Sequence, residues 1–156
     1  MINRRKSREM ALQALYACDL AEHERPDDLI DYLAAESSCD AQCSRYSRDL
    51  LARTLAARDD IDRQIVRFAA NWELKRMNAV DRNILRLAAA ELLFFKNVPF
   101  KVVIDEAVEL AKQYGTEESG KFVNGIIDSI RKSWDAGPPA AAQQESAGPK
   151  TPADGD

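Results

Sequence analysis

The sequence predicts an all-α fold, a single compact bundle of about seven helices with no sheet. Three observations carry this. Helix breakers are scarce through residues 1–134, where Pro26, Pro99, Gly115, Gly120 and Gly125 are the only prolines and glycines. Apolar residues return every three or four positions through most of that length, the repeat of one helix face. No run of strand length alternates apolar and polar side chains.

The elements follow in order. A first helix is expected over 6–21, then weaker helices over 27–36 and 44–58. From Asp59 a fourth helix places Ile61, Ile65, Phe68 and Trp72 on one face. Asp59, Asp60 and Asp62 fall in its first turn, where carboxylates complement the positive end of the helix dipole. Asn78 is the expected N-cap of a fifth helix running through Val80, Ile84, Leu87, Ala88 and Leu92. It is apolar around most of its girth after Leu87, so it is predicted to be the central, buried helix; Asn97 and Pro99 end it. A sixth helix, 101–114, turns Val103, Ala107, Leu110, Ala111 and Tyr114 inward, with Gly115 as a left-handed C-terminal cap. Thr116 then caps a seventh helix with Glu117 and Glu118 in its first turn. Its apolar face is Phe122, Val123, Ile126, Ile127, Ile130 and Trp134.

Residues 135–156 differ in kind. They hold four of the six prolines and three of the six glycines, and no aromatic or large aliphatic residue. Such a segment buries too little to offset its ordering entropy, so it is predicted to be a disordered tail after a folded domain at 1–134.

With 156 residues the chain is long enough to form a core without a metal or disulfide staple. Lys plus Arg is 22 against 26 Asp plus Glu, a net charge of −4. That balance is unlike the basic footprint of a nucleic-acid binder, but the charge is segregated. Arg4, Arg5, Lys6 and Arg8 make the first eight residues wholly cationic, whereas the tail is acidic. No apolar stretch reaches the length of a membrane span; the longest, 85–95, contains Arg86 and Glu91. The basic start is followed by Glu9, Gln13 and Asp19, unlike a signal peptide. Cys18, Cys39 and Cys43 are an odd set without a secretion signal, read as reduced thiols in a cytoplasmic protein.

Two clusters could carry binding chemistry. The Arg4-Arg5-Lys6-Ser7-Arg8 arm sets four cations against one another and against a helix dipole, which folding alone does not explain. A phosphate-bearing partner would relieve both costs. The start of the seventh helix offers Ser119, Gly120, Lys121, Phe122 and Asn124, with backbone N–H groups for a phosphate and an aromatic ring for a base. On periodicity alone the favoured reading makes Phe122 a core residue and Lys121 a solvated one. Cys39, Cys43, Cys18 and His23 lack the paired spacing of a zinc site, so no metal is expected. No phosphate loop, nucleophile elbow or HExxH pair is present, so neither catalysis nor a cofactor is expected. Arg86 and Glu91 lie within the apolar central helix and should be paired, Arg86 with Glu106 or Glu109.

Four ordered blocks resemble the NusB family of bacterial transcription antitermination factors. They are Arg4-Arg5-Lys6-Ser7-Arg8-Glu9 leading into Ala11-Leu12-Gln13-Ala14-Leu15-Tyr16, and Trp72-Glu73-Leu74-Lys75-Arg76-Met77 leading through Val80-Asp81-Arg82 to Glu91-Leu92. Val98-Pro99 with Ile104-Asp105-Glu106-Ala107 onward to Tyr114-Gly115, and Lys121-Phe122-Val123-Asn124-Gly125 with Asp128, complete them. The resemblance implies an all-helical, non-enzymatic adaptor. Its expected partners are boxA-containing single-stranded RNA, the ribosomal protein NusE, RNA polymerase and other Nus factors; it also allows a homodimer. It implies RNA contacts at Arg4, Arg5, Lys6 and Arg8, and at Glu118, Ser119, Lys121 and Phe122. Tyr16 and Asp81 are the implied NusE-facing residues. Residues 22–45 match no block, and the tail is longer than the family needs. NusB-like domains also occur fused to RNA methyltransferases; the length here favours a free-standing factor.

Overall fold

The structure, a computed structural model, describes residues 4–21, 25–69 and 72–134. The expected tail at 135–156 and His23 lie outside the described residues. Seven α-helices and one 3₁₀ turn make up the described chain: α1 Arg4–Ala21, α2 Pro26–Glu36, α3 Ala41–Ala56, α4 Arg58–Phe68, the 3₁₀ turn Leu74–Arg76, α5 Ala79–Phe94, α6 Phe100–Tyr114 and α7 Ser119–Ser133. The all-α bundle expected from periodicity is what is found, with no strand among the described residues.

Helix α5 is the hub, packing against α1, α3, α4, α6 and α7. Ile84, Leu85, Leu87, Ala89 and Ala90 are buried on several sides of it at once, as its apolar girth predicted. Asn78 caps it, its Oδ1 accepting from the Val80 N–H at 2.8 Å. α1 runs antiparallel to α5: Arg8 meets Glu91, and eleven residues later Asp19 meets Arg82 and Asn83.

Several local expectations need correction. α3 starts at Ala41 rather than 44, because the Asp40 carboxylate accepts from the Cys43 N–H at 2.8 Å and caps the helix three residues earlier. α2 is closed by the Cys39 N–H donating to the Ala34 carbonyl at 3.3 Å, with Ser38 in the left-handed region at φ 57°. Cys39 and Cys43 form a disulfide, Cα atoms 5.6 Å apart, so the reduced-thiol reading does not hold for this pair. The reason is local: the tight exit from α2 and the Asp40 cap fold Cys39 back over the first turn of α3.

α4 ends at Phe68, so Trp72 is not on its inward face as expected but beyond it, 53% exposed. Gly115 is not left-handed: its φ is −96° and ψ −161°. Its small size is needed instead, since an added Cβ would lie 2.5 Å from Ser119 Oγ and 2.7 Å from the Ala111 carbonyl oxygen. Thr116 does not cap α7; the roles reverse, and the Thr116 N–H donates to Ser119 Oγ at 2.9 Å. Glu117 and Glu118 lie in the turn before α7 rather than inside it.

Candidate nucleic-acid interface

Arg4, Arg5, Lys6 and Arg8 all belong to the first turns of α1, and the fold gives each a setting. Arg8 is 4% exposed, its Nε and Nη2 donating to Glu91 of α5 at 2.8 and 2.7 Å. Burial would lower its pKa, but the hydrogen bond and charge of Glu91 hold it above the ordinary arginine value. The Tyr46 hydroxyl of α3 donates to the same carboxylate at 2.6 Å. Burial and the Glu91 charge push that phenol well above its usual range, so it stays a neutral donor. Arg4 stacks over the Tyr46 ring at 4.7 Å. Arg5 donates to both Glu106 oxygens of α6, at 3.0 and 2.7 Å, and Lys6 lies 3.8 Å from Glu9. Folding therefore does account for the cationic run: Glu91 and Glu106, distant in sequence, supply the compensating charge.

The four cations are not equivalent. The Arg5–Glu106 pair has its arginine side chain 59% exposed, and water screens such a pair so that it adds little to stability. Exchanging Glu106 for a phosphate oxygen costs little there. The Arg8–Glu91 pair is sealed on both sides, at 5% and 2% side-chain exposure, and cannot exchange without unfolding the junction of α1, α3 and α5. Arg8 holds the arm in place; Arg5 is exposed, and Arg4 and Lys6 beside it are half-buried.

The second cluster is joined to the first through α6. Arg5, Glu106, Glu109, Lys112 and Gln113 line an open cleft of about 250 Å³. Gly120 of α7 also lies beside α6, where an added Cβ would make ordinary van der Waals contact with Val108 Cγ1 at 3.6 Å and Lys112 Cγ at 3.8 Å. The arm and the α7 start thus flank one helix, with Lys112 between them. Ser119 is 1% exposed and is used in the turn, whereas Glu118 and Lys121 are exposed. Phe122 is partly buried against the core and meets Trp72 edge-on, centroids 6.3 Å apart. Phe122 therefore packs inward, and its ring borders an exposed indole.

Tyr16 and Asp81 lie at the other end of the α1–α5 pair. Tyr16 is 39% exposed and stands eleven residues beyond Arg5 on α1, about 16 Å along the axis. Asp81, in the first turn of α5, is 8% exposed, and its Oδ1 is buried without a hydrogen-bond partner. A buried carboxylate oxygen without a hydrogen-bond partner is costly to keep. At this end Arg86 pairs with Asp62 at 2.8 and 3.0 Å, and with Asp19 at 3.4 Å, rather than with Glu106 or Glu109. Those two acids sit on the Arg5 side of the molecule. Sequence reasoning did not place Lys112 and Trp72 with the two clusters; Lys112 lines the Arg5 cleft and Trp72 meets Phe122, neighbours that only the packing brings together.

A family profile described as NusB family matches residues 5–132. The chain belongs to the NusB family. The transcription antitermination protein NusB of Heliobacterium modesticaldum is 41% identical over 131 residues, covering 84% of this chain and 63% of that protein. This chain therefore spans slightly less than two thirds of that relative. A structure described as T. maritima NusB superposes with a TM-score of 0.78 at 41% identity, covering 85% of this chain and 93% of that one. A chain in a structure described as antitermination factors NusB and NusE in complex with dsRNA superposes with a TM-score of 0.76 at 31% identity, covering 83% of this chain and 96% of that one. The NusB match takes in Arg5, Lys6, Arg8, Tyr16, Asp81 and the whole 118–122 cluster, with Arg4 just before it. No metal cluster and no helix long and apolar enough to cross a membrane is found among the described residues.

Proposed function

We propose that this protein is a transcription antitermination factor, a non-catalytic adaptor acting in the cytoplasm. It binds the boxA element of nascent ribosomal RNA as single-stranded RNA, together with NusE, and joins RNA polymerase and other Nus factors. The observation that carries this reading is the exchangeable cationic face of α1, Arg4, Arg5 and Lys6, ordered from beneath by the buried Arg8–Glu91 pair. Lys112 and Lys121 extend that face toward Phe122. The arm supplies salt-dependent phosphate affinity; base choice comes from stacking and hydrogen bonds near the α7 start. Glu118, an acid there, is suited to accept from a base or a 2′-hydroxyl rather than to meet a phosphate. Ser119 acts through the turn that it holds. NusE takes the opposite end, at Tyr16 and the unsatisfied Asp81 carboxylate. A homodimer that covers the arm would compete with RNA.

The test is a salt titration of boxA RNA binding, with and without NusE. Replacing Arg4, Arg5 and Lys6 with Ala weakens binding and flattens its dependence on salt. Unchanged affinity across the titration would sink the reading. Asp81→Lys is expected to weaken NusE binding while the helical circular-dichroism signal is kept; equal NusE affinity for mutant and parent removes that surface from the proposal.

A further inference from the structure

We infer that Trp72 is a nucleobase-stacking residue, its exposed indole beside Phe122 taking an unpaired base of single-stranded RNA. The inference rests on the RNA-binding reading above and extends the path of the strand past α7 onto the connection between α4 and α5.

Trp72 is the largest side chain among the exposed apolar residues, and at 53% exposure it leaves much of its ring in water. Core packing does not require that: α4 closes at Phe68, and its buried face is complete with Ile61 and Ile65. The residue is nonetheless held in place. Its N–H donates to the Ala69 carbonyl at 2.8 Å, and its ring stands at 68° to Phe122, which is itself packed on the core. A rigid aromatic backed by a second aromatic is the arrangement on which bases stack at low ordering cost.

The surrounding charge selects the occupant. The next residues are Glu73, Lys75 and Arg76, all exposed, and Lys121 adjoins Phe122. Glu73 lies 3.7 Å from Arg76, which compensates that pair, and Lys75 and Lys121 are exposed cations near the two rings in sequence. Aromatic rings among cations form the usual platform for single-stranded nucleic acid.

The experiment measures binding of labelled single-stranded boxA RNA to the full chain, and NusE binding in parallel, for the parent, Trp72→Leu, Trp72→Ala and Trp72→Phe. Leu keeps bulk against Phe122, so its thermal melt controls for folding. Loss of one stacked base should weaken RNA binding about tenfold in the Leu and Ala variants, while Phe restores most of it. The salt slope stays unchanged, because no phosphate contact is removed. An RNA made abasic at the stacked position should bind parent and Trp72→Leu equally. Parent-like RNA affinity in Trp72→Leu, with the parent binding RNA normally, overturns this inference and leaves the antitermination reading standing. Weakened NusE binding with RNA affinity intact overturns it by making Trp72 a protein contact. A parent that fails to bind the RNA at low salt overturns both.

Discussion

The two ends of the α1–α5 pair carry the same chemistry with its sign reversed. At one end the cation is on α1 and the acid on α5, as Arg8 and Glu91; at the other the acid is on α1 and the cations on α5, as Asp19 with Arg82 and Arg86. Only the antiparallel alignment in this register matches both ends, and inverting α1 would set arginine against arginine. The ends differ in solvent access. Arg8 and Glu91 are sealed beneath Tyr46, whereas Asp19, Arg82 and Arg86 border an open cleft with Leu74 and Lys75. A sealed pair makes a fixed base for the neighbouring cations Arg4 and Arg5, while an open one can adjust to a partner.

Glu91→Ala is the most severe way to break this comparison. It leaves the Arg8 guanidinium buried with Glu106 3.6 Å from Nη1 and removes the acceptor of the Tyr46 hydroxyl. The expected loss is about 3–5 kcal/mol, read from urea unfolding midpoints. Asp19→Ala should cost less, about 1–3 kcal/mol, since its side chain is 19% exposed and Arg86 keeps its bidentate bond to Asp62. Equal losses at the two ends would refute the distinction between sealed and open pairs.

Acid sharpens it further. Burial pushes the Asp19 carboxyl up, but hydrogen bonds from Asn83 and Arg82 and the charges of Arg82 and Arg86 hold it below the ordinary aspartate value. The Arg5 hydrogen bond and charge, opposed by burial, likewise hold Glu106 below the usual carboxylate range. With folded pKa values depressed, the unfolded chain binds more protons as pH falls. The stability from these groups is present at neutral pH and is lost as pH drops below about 4. Asp19→Asn should shrink that acid-induced drop; a drop identical to that of the parent would show that Asp19 does not contribute to it. The smallest effect is expected for Asn78→Ala at the open end, about 1 kcal/mol by thermal melting, because it removes a single cap bond.

How much of this was legible in the sequence depended on the range of the forces involved. The hub helix was readable because Ile84, Leu87 and Ala88 repeat locally and Asn78 is a cap by its own chemistry. The region at 22–45 was harder, because Ser38 occupies the left-handed position where a glycine would have marked the end of α2. At Gly115 the residue's place after α6 suggests a left-handed cap, but what excludes a side chain is the approach of Ser119 Oγ, a neighbour across a turn. The cationic run looked frustrated because its acids are 83 and 101 residues away.

By itself the sequence determined helix content, the buried hub and the family blocks, since these rest on periodicity, capping and residue identity within a few positions. The tertiary structure alone decided which cation is buried and which exchangeable, which acid answers Arg86, and that Trp72 stands outside α4 beside Phe122. Those depend on which helices meet and in what register, and burial and ion-pair strength follow from that meeting rather than from the residues taken one at a time.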